Sequence, residues 1–345
     1  MRIGLTYDLR DDYRALGFAE EDIAEFDFTG TIDAIEAALH RLGHETERIG
    51  NVRALARRLA DGACFDLVFN TAEGVRGFGR EAQVPALLDA FEIAYTFADP
   101  LVAALTLHKG MAKRVLRDAG VPTAPFHVVA EEADLAAIDL PFPLFVKPVA
   151  EGTAKGIDAG SRVDDPGALA ARCRFVLARH AQPALVEPFL PGREFTVGIL
   201  GGGRDATAIG TLELRLLAGA EPGVYSYRNK ERSEECVELP LADPEARARV
   251  EPVALAAWRA LGGRDAGRID LRLDGGGRPM VLELNPLPGL HPTHSDLPIL
   301  WTALGRGYPE LIGAIVASAA ARRREREGTP GRSRRQAAAL ASALG

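Results

Sequence analysis

The sequence predicts a mixed α/β protein of more than one packed unit, on three observations. Residues 1 to about 100 alternate strand and helix signals around a nearly all-apolar run, Phe65–Asn70, the pattern of a parallel sheet covered by helices. From Ala184 onward, strand candidates follow one another directly, which suits an antiparallel sheet. The chain has 345 residues, beyond the ~250–300 at which a single core stops growing.

Hydrophobic content of 47% and charged content of 26% are ordinary for a globular protein. A net charge of −7 argues against a general nucleic-acid surface. No apolar run reaches the ~18 residues of a membrane helix, and MRIGLTYD reads as a strand rather than a signal peptide, so a cytoplasmic protein without membrane partners is expected. Cys64, Cys173 and Cys236 form no CxxC pair and suggest neither a disulfide framework nor a zinc site.

In order, Arg2 to Thr6 reads as a strand. Ile32, Ile35, Leu39 and Leu42 share a helical face that Gly43 closes. Glu45 to Ile49 reads as a strand, Val52 to Ala60 as a helix, and Phe65 to Asn70 as the third strand. The stretch TAEGVRGFGREAQ then lies where open α/β sheets bind ligands, so Glu73 and Glu81 either touch a substrate or belong to a polar loop. A helical pattern from Leu101 to Ala119 carries His108, Lys109 and Lys113, and Gly120-Val121-Pro122 ends it. Lys109 either points at phosphate or is solvated. PLFVKP is a buried strand whose Lys147 runs into EGTAKGI, a glycine pattern suited to covering phosphates but not a Walker A motif. Asp165-Pro166 and Asp243-Pro244 each read as an N-cap followed by proline, opening helices to Arg179 and Leu261. Between them, ALVEPFL, PGREFTVGIL and TAIGTLEL are strands. Leu297 to Leu304 and Pro309 to Ala320 read as helices, and the arginine-rich end as a solvated helix end and disordered tail or, alternatively, a nucleic-acid arm.

The stretch GRIDLRLDGGGRPMVLELN is a hairpin signature. Alternation puts Arg268 and Asp270 on one face, and sets Glu283 and Asn285 opposite Met280, Leu282 and Leu284. With a four-residue loop, Gly275 to Arg278, Asp270 faces Glu283 and Arg268 faces Asn285 across the strands. Such a face is either a Mg²⁺ and phosphate site or a solvated surface with cross-strand ion pairs. His291 and His294 lie in a proline-containing loop whose spacing does not ensure a shared face, and zinc is not expected.

In this order, LHKGMAK, VKPVAEGTAKGI, LVEPFLPGREFTVGIL, GRIDLRL and LELNPLPGLHPTHS resemble the ATP-grasp superfamily, and more closely the D-alanine:D-alanine ligase family, over about residues 95 to 315. The resemblance implies an α/β (α+β) ATP-grasp fold: an N-terminal Rossmann-like parallel-sheet domain (1–100), a central lid domain (101–185), a C-terminal antiparallel-sheet domain (186–320) and a basic tail (321–345). It implies that Lys109 and Lys147 contact ATP phosphates under a loop of Glu151, Gly152, Thr153 and Gly156. Glu187 and Leu190 would line the adenine hinge and Glu194 would hold the ribose. Asp270, Glu283 and Asn285 would bind two Mg²⁺ ions, with Mn²⁺ as an alternative. Arg268 would steady an oxyanion, Lys230 would reach the γ-phosphate, and Ser295 would lie near the second substrate's carboxylate. The implied chemistry is ATP-dependent ligation of a carboxylate to an amine through an acyl phosphate, on small-molecule substrates, in a protein leaning towards a homodimer. Where the family has Ser and Tyr, this chain has Thr153 and Glu231, and Glu231 either accepts from an ammonium group or is an exposed loop residue. No residue in TYDLRDDYRALG matches the family's ammonium-binding glutamate. These departures fall where amino acids bind, so an amino-acid or dipeptide ligase of altered specificity is expected. The alternatives are a strict D-alanine:D-alanine ligase with an ammonium site rebuilt from Glu73 or Glu81, and a non-catalytic ATP-binding regulatory protein.

Overall fold

The computed structural model describes residues 1–328 except Pro222, and leaves out the side chains of Glu231, Ser233, Glu234 and residues 325–328. The tail 329–345 lies outside the described residues. Strands β1 (Arg2–Thr6), β2 (Glu45–Gly50) and β3 (Leu67–Asn70) pair in parallel in the order β2-β1-β3. Helices α1 (Arg10–Ala15), α2 (Thr29–Arg41), α3 (Val52–Ala60) and α4 (Gln83–Ala90) connect and cover them. Helix α2 buries Ile32, Ile35 and Leu39 as its period predicts, and Gly43 ends it at φ 77°. Leu42 is 40% exposed, because the helix has already ended at Arg41.

The single helix expected over Leu101–Ala119 is two: α5 (Pro100–Leu107) and α6 (Lys109–Asp118). His108 breaks them, with φ −86° and ψ 89°, and its ring nitrogen accepts from the Met111 N–H at 3.2 Å. The break puts Lys109 in the first turn of α6. Strands β4 (His127–Val129), β5 (Leu144–Pro148), β6 (Arg162–Val163) and β7 (Ala184–Pro188) form a second sheet in the order β4-β7-β5-β6, antiparallel throughout. It packs on α7 (Pro166–His180), which starts at the expected Asp165 cap with Pro166 in the first turn.

The third sheet, also antiparallel, runs β10-β9-β8-β11-β12, from β8 (Glu194–Leu200), β9 (Thr207–Leu216), β10 (Val237–Glu238), β11 (Ala266–Leu273) and β12 (Pro279–Asn285). The short helices α8 (Tyr227–Glu231) and α9 (Ser233–Cys236) precede β10, and α10 (Pro244–Leu261) lays the fully buried Trp258 against the sheet. After α11 (Asp296–Ala303), the last helix α12 (Tyr308–Gly328) continues past the expected end at Ala320. It returns to the N-terminal sheet, where Leu311, Ile312 and Ile315 share one core with Ile3, Leu5 and Leu39. Buried Asp265 ties the seam, accepting from Phe97 N–H at 2.7 Å and Ser318 Oγ at 2.8 Å. Among the described residues, no helix is long and apolar enough to cross a membrane.

Candidate active site

The hairpin β11–β12 sets the first group of side chains. Arg268 pairs with Asn285 and Asp270 with Glu283, as expected, but by another route. The Asp274 N–H donates to the Arg278 carbonyl and Leu273 faces Pro279, so the turn is tighter than assumed by one residue. A β-bulge between Asp270 and Leu271 absorbs one extra residue of β12, Leu282, and restores the pairing. The bulge also overturns the predicted apolar face. Val281 and Leu284 enter the core, while Leu282 turns towards the cleft beside Glu283.

Asp270 is buried and accepts from Thr196 Oγ1 at 2.9 Å and Asn285 Nδ2 at 3.1 Å, and it pairs with Arg268. Burial raises its carboxyl pKa, Arg268 opposes the rise, and Glu283 and Asp296 add to it. Burial would raise Glu283 as well, but Lys109, Lys147 and Arg268 outweigh it and hold that carboxyl far below its usual range. Two carboxylates and an amide oxygen make an all-oxygen donor set that fits a hard divalent cation.

Three buried lysines face this hairpin. Lys109 Nζ lies 3.0 Å from Glu283 and donates to the Glu151 carbonyl at 2.6 Å, so it is not a solvated helix residue. Lys147, from the end of β5, lies 2.8 Å from Glu187, and Lys113 lies 2.7 Å from the same carboxylate. Burial opposes ionisation of Glu187, yet the two ammonium groups pull its pKa down to about 2. Lys113 stands one helical turn after Lys109, a spacing that puts both on one face of α6.

The cleft between the second and third sheets has an apolar slot at one end, lined by Phe145, Phe189, Leu190, Val224, Leu214 and Leu282. Glu187 lines this cleft, and Glu194 lines it while pairing with Arg272 at 3.2 Å. Loop residues Thr153 and Ala154 cover it at φ 51° and 54°. Gly156 does not line it. At φ 71° it turns the loop where an added Cβ would meet the Pro148 ring at 2.5 Å. Lys230, from α8, reaches the cleft, and burial followed by the Arg268 charge lowers its pKa. The Glu231 side chain lies outside the described residues.

A second cavity opens behind the cleft, towards the N-terminal sheet. The two share Lys109, Glu151, Thr153, Lys230, Arg268, Glu283 and Asp296. Ser295 and the stacked rings of His291 and His294, 4.5 Å apart, line the second cavity alone. No group of three or more His, Cys, Asp or Glu side chains that could hold a metal occurs among the described residues. Glu73, Glu81 and Asp27 line the far wall, as does Glu25, which sequence reasoning missed. Glu25 sits 2.9 Å from Lys155 and 3.1 Å from Arg80, and accepts from the Gly152 N–H. Its stretch, FAEEDIAEFDF, has no helical or strand period, so nothing in the sequence marks it. Asp296, 3.5 Å from Arg268, was missed likewise.

Known proteins resemble this chain along most of its length. The family model "D-ala D-ala ligase C-terminus" matches residues 115–317. The protein y4sG of Sinorhizobium fredii is 33% identical over 310 residues, 82% of this chain and 85% of that one. The D-alanine–D-alanine ligase of Bordetella petrii is 36% identical over 272 residues, 78% of this chain and 79% of its own length. Among solved structures, the D-alanine–D-alanine ligase of Bacillus anthracis superposes with a TM-score of 0.72 at 22% identity, over 94% of this chain and 99% of that one. That likeness establishes the fold. Together with the arrangement of the cleft, these matches place the chain in the D-alanine–D-alanine ligase family, as an ATP-dependent carbon–nitrogen ligase of the ATP-grasp fold.

Proposed function

We propose that this ligase joins the carboxylate of one small molecule to the amine of another through an acyl phosphate, and that its specificity differs from that of a strict D-alanine:D-alanine ligase. One observation carries the reading: Lys109, Lys230 and Arg268 converge with Glu283 on the seam between two cavities. The apolar slot suits an adenine, and Lys147 in the cleft and Lys109 on the seam would face the phosphates. The substrate carboxylate, in the second cavity, attacks the γ-phosphorus as its bond to the bridging oxygen breaks and ADP leaves. The amine then attacks the acyl carbon, the bond to the phosphate oxygen breaks, and the departing phosphate takes up the amine's proton. Negative charge builds on oxygen in both steps, and Lys230 and Arg268 offset it without a side-chain nucleophile. Asp270, Glu283 and Asn285 would hold divalent cations, Mg²⁺ or Mn²⁺, which neutralise the phosphoryl oxygens. Thr153, on both cavities, sits where the loop meets the transferring group.

The test is ADP and phosphate release with ATP and Mg²⁺ across D- and L-amino acids, singly and in pairs, with mass spectrometry of products. An amide from a pair other than two D-alanines is expected. Release with D-alanine alone would make this a strict D-alanine:D-alanine ligase, and ATP binding with no product from any pair would overturn the catalytic reading.

A further inference from the structure

A strap of turns, residues 19–28, joins α1 to α2. Within it the Asp22 N–H donates to the Ala19 carbonyl and the Phe26 N–H to the Ile23 carbonyl, both at 3.0 Å. Ile23 and Phe26 bury against Tyr13 in a small core of their own, apart from the core of the first sheet. One face of the strap, Ala24 to Phe28, lines the second cavity. Its other side reaches the second sheet's helix, where Glu21 pairs with Arg179 near the end of α7.

Glu25 fastens this strap to the phosphate loop. Its Oε1 accepts from the Gly152 N–H and from Arg80 Nη2 at 3.2 Å, and its Oε2 accepts from the same Arg80 nitrogen at 3.1 Å and from Lys155 Nζ at 2.9 Å. An ionised carboxylate offers about four acceptor sites, so Glu25 is filled from within the chain although it lines the cavity. The same donors hold the loop. Lys155 also pairs with Glu151, whose carbonyl accepts from Lys109 at 2.6 Å, and Arg80 donates to the Ala150 carbonyl at 3.0 Å. Position 152 must be glycine, because a side chain there would collide with the Glu25 carboxylate. At its far end the loop is tied to α8, where the Tyr227 N–H donates to the Ile157 carbonyl at 3.1 Å, three residues before Lys230. Strap, loop and α8 thus form one line of contacts running from the second cavity to the seam.

We propose that Glu25, Lys155 and Arg80 are positioning residues that couple the two cavities: nucleotide bound under the loop orders the strap, and so shapes the wall that meets the carboxylate substrate. This rests on the nucleotide reading of the cleft given above. Such coupling is reciprocal, so a ligand in the second cavity tightens nucleotide binding by the same factor. Without the clasp, loop and strap order separately, and each ligand must first populate its own competent site.

The test uses the full chain with Mg²⁺ and the β,γ-imido analogue of ATP, which is not hydrolysed, and reads amide hydrogen exchange. In the unmodified protein the analogue should slow exchange in the loop 150–157 and also in the strap 19–28. In Lys155→Met it should protect the loop alone and bind roughly five- to tenfold more weakly, the lower range of such couplings. Lys155→Arg should recover both effects. Glu25→Gln keeps the size and the Gly152 acceptor but drops the charge, and gives the same readout where Lys155→Met fails to fold. A lysine that only holds the fold would change exchange with and without nucleotide alike, leaving the response of the strap intact. A strap that responds equally in the unmodified protein and in these variants would overturn the coupling. Analogue binding with a silent strap sinks the clasp alone, whereas no analogue binding sinks the nucleotide reading and the clasp with it.

Discussion

The two sides of the seam neutralise charge differently. On the side proposed for the nucleotide the chain supplies both partners: Lys113 and Lys147 share Glu187, Lys109 faces Glu283, and Arg272 faces Glu194. On the side proposed for the substrate, Glu25 is paired in the same way, but Glu73 and Glu81 are left without partners among the described residues. A preorganised nucleotide site keeps its dipoles fixed before ATP arrives, which is how electrostatic catalysis avoids reorganisation during reaction. The acids without partners are instead raised by burial, Glu81 to about 7 and Glu73 well above its usual range.

The largest expected effect tests the paired side. Glu187→Ala leaves two buried lysines without their shared anion, and removing one partner of a buried pair costs about 3–5 kcal/mol. Urea unfolding should show that loss, and an unchanged midpoint would mean that the lysines are hydrated rather than dry. Next comes Glu283→Ala. It removes one of the three oxygen donors at the seam, and a loss of about three orders of magnitude in kcat is expected, near 4 kcal/mol of barrier. Stability should change much less than in Glu187→Ala, because Glu283 lines both cavities and its side chain is 23% exposed. Equal turnover in the variant would remove Glu283 from the chemistry.

How far the sequence could be read follows the same division. Strands and helix caps with local signals came out nearly in place: β1, α3 and α10 match residue for residue. The Asp270–Glu283 pairing came out right although the turn length was wrong, because the bulge at Leu282 compensated the tighter turn. A bulge has no composition signal, so the predicted apolar face containing Met280 and Leu282 failed with it. The break at His108 was also hidden, since a residue that caps a helix through its ring still fits a helical period. Glu25 was the most deeply hidden. Its partners lie 55 and 130 residues away, and only tertiary packing brings them together.

Lys155 sharpens the comparison by joining the phosphate loop to the substrate wall. Its ammonium group lies between Glu25 and Glu151, and the side chain is 9% exposed. Lys155→Met keeps most of the volume but leaves Glu25 with Arg80 and the Gly152 N–H, at an expected cost of about 1–3 kcal/mol. Lys155→Arg should restore part of it. Limited proteolysis of the Glu151–Gly156 loop should quicken in the Met variant, and unaltered cleavage would show that the loop is held by its backbone instead.

The pH dependence completes the comparison, because the two sides carry opposite signs. Glu187, at about 2 against an ordinary 4.5, has lost its proton in the fold while the unfolded chain still holds one. Its contribution is therefore complete above pH 4.5 and disappears as pH falls towards 2. Glu81 and Asp27, both raised to about 7, keep protons in the fold that the unfolded chain has released. Stability should therefore fall as pH rises from about 4 through 7, by at most ~1.4 kcal/mol per pKa unit for each group. Melting temperature followed from pH 3 to 9 should show both limbs, and Glu73→Gln/Glu81→Gln should make the upper limb shallower, with the Asp27 share remaining, while leaving the lower one in place.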